Sequence, residues 1–557
     1  MIKVLFFAIL LAQKAFSQDT WDWVRIDCGS DTSYKDSNGD TWDSDDDYIK
    51  TGDNKQVAST SSSDIEQLNT LRVFSEQNKN CYTVPTPTSA RYFVRAMFWY
   101  GNYDGLSKPP TFDLEFDGNK WATVVTNTTS FTYYEMIYAT KGDSISICLA
   151  RTRDQEFPFI SRLESLPLPD DMYPQMRRDM AWFIRYRYNY GADDRIIGYP
   201  DDKYNRIWEP QIPPGLDSVT ANFTSLDETS VNVPPDSAII KAVEASATDR
   251  INLSFGFDNV SHLDHVEMYF TEPFLETSET RSFNVTVNGS FVNTTTPEYQ
   301  ICTSVWANLQ SIGTLDIELV PTEDSTLAPI ISAIEVYTVS QPLVIATTSQ
   351  NDLDGLEEFI ETFDQLKGWS GDPCLPNDTI WQWLNCSTNQ PPRVTSIYLS
   401  GFGLQGYLPN FSQMDALEVI DLHNNKLSGE IPDFLGKLPN LRLLQAGRLI
   451  IKHYFSCFQH FELTVVPRLC PSRIDENENS SCRKSKNAAT IGSSIGSVIL
   501  LALLVSCCYY CCCRGSKQTD PSPTESTVEF IPEPAPAPVP QVIVQQTVEV
   551  HQVVRNY

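Results

Sequence analysis

The sequence predicts a mainly β protein: two tandem β-sandwich lobes, a short solenoid, a single transmembrane helix and a disordered tail. Three observations carry this expectation. Short apolar-alternating runs, punctuated by Gly, Pro, Asn and Asp, fill residues 23 to 340. A set of apolar positions recurs at one fixed offset of 23 residues between 394 and 432. One uncharged apolar run near residue 500 is long enough to cross about 30 Å of hydrocarbon as a helix.

Residues 1–17 read as a secretory leader. Lys3 supplies the positive start, Val4 to Ala12 the apolar stretch, and Ala15-Phe16-Ser17 small residues at two positions before a cut, expected after Ser17. Predicted strands follow at Ala90 to Phe98, Thr111 to Phe116, Ser144 to Leu149, Ile251 to Phe257, Ser282 to Val287 and Thr314 to Val320. One sandwich of over 300 residues would be unusual, so two lobes are expected, at 23–170 and 175–345. An internal echo agrees. Ile26-Asp27-Cys28-Gly29 opens the first lobe, with Trp42 and Asp43 after it; Tyr188-Asn189-Tyr190-Gly191 opens the second, with Asp201 to Trp208 after it. The Pro-rich piece Leu166 to Pro174 reads as the linker.

Residues 346–392 lead into the repeats at 393–445. Val394, Ile397, Leu399, Leu404, Gly406, Leu408 and Pro409 recur as Leu417, Ile420, Leu422, Leu427, Gly429, Ile431 and Pro432. This is a leucine-rich repeat, whose apolar positions fill a solenoid core while Asn425 bonds backbone groups at a turn. A third copy begins at Leu441 and Leu444 and then dissolves, so 446–487 is expected to be irregular. Beside the core leucines, Ser396, Tyr398 and Ser400, then Val419, Asp421 and His423, face outward. So small a face suits a lateral contact with another receptor chain better than a deep peptide groove.

The apolar run at 488–513 is the predicted membrane helix. Lys and Arg flank both of its sides, so the leader rather than the charges sets the orientation, N-terminus outside. Eleven N-x-S/T sequons, at Asn127, Asn222, Asn252, Asn259, Asn284, Asn288, Asn293, Asn377, Asn385, Asn410 and Asn479, all precede the run. Gly492 and Gly496 form a G-x-x-x-G through which two spans would dimerise. Cys507, Cys508, Cys511, Cys512 and Cys513 sit where palmitoylation occurs. The tail, 514–557, alternates Pro with other residues from 532 to 540 and reads as a disordered stub.

A net charge of −30 argues against nucleic acid as partner. Nine cysteines precede the span, in an oxidising compartment where most should pair, leaving one odd thiol. The acidic run Asp40 to Asp47 lacks the calcium-loop spacing and reads as a solvated loop. His262 and His265 have no further ligand at zinc spacing, so neither a metal nor any cofactor is expected. G-x-S-x-G, H-E-x-x-H, P-loop and kinase signatures do not occur, so no enzyme is expected.

The segments IDCGS, TWDSDDDYIKTG, LRVF, NCYTVP, YFVRAMFWYGNYDG, PPTFDLEFDGNKW and DDKYNRIWEP together resemble the malectin-like ectodomain of plant receptor-like kinases. GWSGDPCLP followed by WQWLNC resembles the junction between that domain and a few leucine-rich repeats, as in the group that includes the symbiosis receptor kinase. The resemblance implies two tandem malectin folds, a single-pass plasma-membrane receptor and a disulfide between Cys374 and Cys386. It departs from the family where the intracellular kinase would stand. Malectin binds oligosaccharide through aromatic rings and a carboxylate, which points to Trp99, Tyr100, Tyr103 and Asp104. With them, Tyr398, Asp421 and His423 complete the expected binding residues. The expected function is binding of a cell-wall glycan, a peptide or a co-receptor, with output through a partner kinase or as a decoy. A wall-to-membrane tether is the rival reading, and a carbohydrate-active enzyme the weakest.

Overall fold

The computed structural model describes residues 23–58, 65–86, 90–192, 195–246, 249–275, 278–344, 347–446 and 462–465. The predicted leader (1–17), span (488–513) and tail (514–557), with Asn479, Gly492 and Gly496, lie outside the described residues. Among the described residues no helix is long and apolar enough to cross a membrane.

The fold is mainly β. An eleven-stranded sheet runs through the body, in the order Tyr34–Lys35, Thr41–Ser44, Val24–Asp27, Arg162–Leu168, Arg91–Phe98, Thr132–Ala139, Ala181–Tyr190, Ala333–Val339, His262–Phe270, Thr303–Ser311, with Glu209–Gln211 beside Ala181–Tyr190. The strand plan repeats. In each half the opening strand lies beside the closing one, then the two middle strands follow in order. Each half also faces its own four-stranded sheet: Lys79–Pro85, Ser144–Ala150, Thr111–Phe116, Asn119–Val125 in the first, and Ile251–Gly256, Thr314–Pro321, Phe283–Val287, Ser290–Thr295 in the second. The echo between Gly29 and Gly191 has a structural reason. Both adopt left-handed φ, +82° and +75°, and a Cβ on either would strike a backbone carbonyl, Leu71 O or Ala242 O, at 2.2 Å.

Ile251–Gly256 alternates buried and exposed residues, as a half-buried strand must. Arg91–Phe98 is buried at every position. Its Tyr92, Val94, Ala96 and Phe98 fill the first core, while Phe93 joins a second cluster on the opposite face. The central sheet is therefore covered on both sides. Part of that second cover is the piece expected to be a linker. Leu166 to Leu168 belong to the strand Arg162–Leu168, and Met172 and Tyr173 are wholly buried against the sheet. Their apolar surface gains more by burial than an open tether would allow.

The two halves join where Met136, Ile137 and Tyr138 pair with Phe183, Trp182 and Ala181. Beside this seam lies a buried charge network. Arg95 contacts Glu135 at 2.7 Å, and Arg187 bridges Glu135 at 2.5 Å and Glu335 at 2.7 Å. Burial pushes Glu335 up, but Arg187 and Arg206 outweigh it and hold its carboxyl at about 2.

The acidic run is not simply solvated. Asp45 is buried and takes Arg72 through both oxygens, at 2.8 and 2.7 Å, with Tyr82 Oη donating at 2.8 Å. A carboxylate so paired is cheaper to bury than to leave unmatched beside a buried guanidinium.

After the body, the helix Gln350–Thr362 leads into parallel strands Val394–Tyr398, Val419–Leu422, Leu443–Ala446 and Glu462–Val465. Ile397 pairs with Ile420, and Ile420 with Leu444, so the 23-residue offset of the first two copies becomes one rung. Asn425 Nδ2 donates to Leu399 O, Leu422 O and His423 O, and its Oδ1 accepts from Leu404 N at 3.0 Å. The strand Glu462–Val465 is a correction to the irregular segment expected at 446–487: it stacks on Leu443–Ala446 in parallel register. Its spacing of 19 residues from that strand breaks the period, so the repeat pattern hid it.

Candidate functional site

Three regions hold the residues singled out by sequence. The first is the exit from the strand Arg91–Phe98. Trp99 is 3% exposed and packs in a small cluster with Leu68 and Met97; Tyr100 is fully buried. Tyr103 lies 5.6 Å, centroid to centroid, from both Phe159 and Tyr100. Asp104 Oδ1 accepts from Tyr100 Oη at 2.5 Å and from Leu106 N at 3.0 Å. Of the four residues expected at a sugar site, the structure buries Trp99 and Tyr100, while Tyr103 is half-buried and Asp104 is exposed. The Trp99 and Tyr100 rings are spent on the core, and Asp104 holds the loop.

The second region is the outward face of the solenoid. Tyr398 is 40% exposed. On the next rung Asp421 Oδ1 lies 2.6 Å from His423 Nδ1, and His423 Nε2 lies 3.0 Å from Ser400 Oγ. The three side chains form a Ser–His–Asp line across two rungs. Its chemistry is nevertheless that of a surface. The amide next to Ser400, Gly401 N–H, donates to His423 O, so it is committed rather than free to hold an oxyanion. What remains is a half-exposed row of one ring, one imidazole and one carboxylate.

The third region is the joint between the first half and the segment ahead of the repeats. Cys374 and Cys386 are disulfide-bonded. So are Cys81 and Cys148, a pair that the sequence reading did not assign because 67 residues separate them. Cys28 and Cys302 are free and buried, so two described thiols rather than one stand unpaired. Gly371, at φ +74°, sits where a Cβ would lie 2.4 Å from Cys81 Sγ. Lys79 Nζ donates to Leu375 O at 2.7 Å and meets Glu115 at 3.2 Å, while Thr379 donates its hydroxyl to Glu115. Burial pushes Glu115 up to about 7 and Lys79 down. Asn78 adds Nδ2 to Ile380 O at 2.8 Å and accepts from Gln382 N at 3.1 Å. The solenoid is thus anchored on the body by a buried polar joint.

The ten described sequon asparagines are exposed, except Asn127 and Asn284, which are half-buried. Among the described residues no His, Cys, Asp or Glu cluster is arranged to hold a metal.

A central β layer with facing sheets, joined to a short parallel β stack, is the class of fold these strands define. The comparisons agree. The malectin-like domain model matches residues 26–339, and the chain belongs to the malectin-like family. It is 34% identical over 439 residues to the probable LRR receptor-like serine/threonine-protein kinase At1g05700 of Arabidopsis thaliana, covering 74% of this chain and 50% of that one. It is 30% identical over 430 residues to a second Arabidopsis thaliana relative, the probable LRR receptor-like serine/threonine-protein kinase MEE39, covering 74% and 48%. The chain therefore spans about half the length of the curated relatives it matches. The crystal structure of the ANX2 ectodomain from Arabidopsis thaliana aligns at a TM-score of 0.49 and 16% identity, covering 57% of this chain and 97% of that one.

Proposed function

We propose that this chain is the ligand-binding part of a single-pass plasma-membrane receptor-like protein, N-terminus outside. Two tandem malectin-like lobes, 23–170 and 175–345, form its body, and leucine-rich repeats at 393–445 present Tyr398, Asp421 and His423 to a co-receptor or receptor kinase. Signalling runs through that partner, or the chain acts as a decoy that occupies it. The observation that carries this reading is the buried joint of Lys79, Glu115 and Thr379, which fixes the solenoid face against the body. A face held this way meets a partner without first losing the entropy of a swinging arm. The relatives named above are receptor-like kinases, which supports a role in the same assemblies.

The test is capture of receptor-kinase ectodomains by the full chain in lipid nanodiscs. Replacing Tyr398 and His423 together by Ala should lower capture at least tenfold and leave the thermal unfolding midpoint unchanged. Undiminished capture by that double variant would remove the solenoid face from the proposal.

A further inference from the structure

The end strand of a sheet presents a row of unpaired N–H and C=O groups to any further strand, and folded proteins guard such ends. Most sheet ends in the body are guarded. One end of the eleven-stranded sheet is Tyr34–Lys35, two residues long with Lys35 exposed. Lys79–Pro85 is covered: Thr83 N donates to Tyr48 O, and Cys81 N to Ser370 Oγ. Asn119–Val125, Asp53–Gln56 and Leu216–Thr220 end their sheets with Lys120, with Asp53 and Lys55, and with Asp217. Ile251–Gly256 and Ser290–Thr295 carry the sequons at Asn252 and Asn293. Phe159–Ile160 and Ile330–Ile331 are two residues long.

The other end of the eleven-stranded sheet has none of these guards. Thr303–Ser311 reads TSVWANLQS, nine residues without charge, proline or sequon. At a strand rise of about 3.3 Å per residue it extends for about 30 Å. It pairs with His262–Phe270 along its whole length in one register. Just before it, Cys302 N donates to Glu228 O, and there the cover ends. Among the described residues, no group outside His262–Phe270 bonds the backbone from Ser304 to Gln310.

The two faces of this strand differ. Val305 and Ala307 belong to the core of the second half. Trp306, Asn308 and Gln310 alternate with them and are exposed, Trp306 to 44%. The Trp306 ring stacks over His265, with centroids 6.1 Å apart, and its remaining surface is open.

An open edge of this kind takes an extended strand, and charge selects which one. The chain carries a net charge of −30, so two copies repel through most of their surface. This strand is a neutral stretch on which they can meet. Antiparallel pairing about a two-fold axis at Ala307 is self-complementary. Ala307 then stands opposite the partner's Ala307, Trp306 opposite the partner's Asn308, and Ser304 opposite the partner's Gln310. The two Trp306 rings become diagonal neighbours on one face, within reach of each other. No other two-fold register pairs more of the open edge.

We propose that a second copy of this chain docks on this edge, Thr303–Ser311 pairing antiparallel with itself so that the large sheets of two copies become continuous. The proposal does not depend on what the solenoid face binds.

The experiment uses the full chain in detergent. Every sample carries Gly492→Leu and Gly496→Leu, so that the predicted span adds no contact of its own. Light scattering over a dilution series should give the mass of two chains, falling to one on dilution. Ser304→Lys with Gln310→Lys sets like charges opposite each other in both symmetric pairs, and should raise the concentration of half-dissociation at least about tenfold. Mixing that variant with Ser304→Glu, Gln310→Glu should restore a mixed dimer. If the lysine variant fails to fold, cysteine pairing decides alone. Ala307→Cys should cross-link two chains under mild oxidant, whereas Val305→Cys, two residues off the axis on each strand, should not. The mass of one chain at every concentration overturns the proposal, as does an undiminished dimer in a folded lysine variant or equal cross-linking at 305 and 307. A monomer that nevertheless binds the capped peptide of residues 303–311 overturns it too, because the edge would then serve a foreign strand.

Discussion

The two halves of the body follow one strand plan but are secured differently. The first half carries the Cys81–Cys148 disulfide in its facing sheet and supports the solenoid through Lys79 and Glu115. The second half has Cys302 as a free buried thiol and relies on the Arg187–Glu335 and Arg206–Asp202 pairs. The two halves also differ at a matched Asp–Trp pair: Trp208 Nε1 donates to Asp202 with Arg206 bonded to the same carboxylate, whereas Trp42 Nε1 donates to Asp36 with Arg162 over the ring. A duplicated plan leaves one copy free to be structural while the other changes. Which residues differ between equivalent positions is then a guide to which copy meets a partner.

The largest expected effect tests the seam. Arg187→Ala leaves buried Glu135 with Arg95 alone and buried Glu335 with Arg206 and tyrosine hydroxyls, and should cost about 3 kcal/mol in denaturant unfolding. A loss under about 1 kcal/mol would mean that the network does not hold the halves together. Next, replacing both Cys81 and Cys148 by Ala should cost about 2–4 kcal/mol, with hydrogen exchange rising in the strands Lys79–Pro85 and Ser144–Ala150 before the second half. Simultaneous loosening of both halves would show one cooperative unit instead.

The third effect concerns pH at the joint. Glu115 has a folded value of about 7, above its ordinary 4.5, so the folded chain holds this proton more tightly. The associated stability is full below about pH 4.5 and is lost as pH rises through 7, at up to about 1.4 kcal/mol per pH unit. Glu115→Gln should flatten the unfolding midpoint across that window, and an unchanged slope would assign it to other groups. The smallest effect compares the twin tryptophans. Trp208→Phe leaves the buried Asp202 short of one donor and should cost about 1–2 kcal/mol, whereas Trp42→Phe, beside the half-buried Asp36, should cost about 1 kcal/mol less. Equal costs would erase the contrast between the buried Asp202 and the half-buried Asp36.

Much of the fold was legible in the sequence because alternation and repetition are local. Thr111–Phe116 falls where the alternating run predicts a strand, and the pairing of Ile397 with Ile420 follows from the 23-residue offset. The glycine echo was legible too, because only Gly accepts the backbone at 29 and 191. The sites were not. Aromatic residues at 99 and 100 look alike whether a ring faces a sugar or a core, and only burial decides. That Thr303–Ser311 ends the large sheet instead of lying inside it depends on strand order, and nothing in its spacing announces it. The pairing of Cys81 with Cys148 depended likewise on the register of two strands, which composition does not encode.

Strands from the two halves share a single ladder of backbone hydrogen bonds at Met136 to Tyr138. Tandem modules strung on a tether bend independently; a pair fused through one pleated layer acts as a lever. Force applied where the solenoid is bolted on would be felt at the far rim, Thr303–Ser311, with little lost to flexing between.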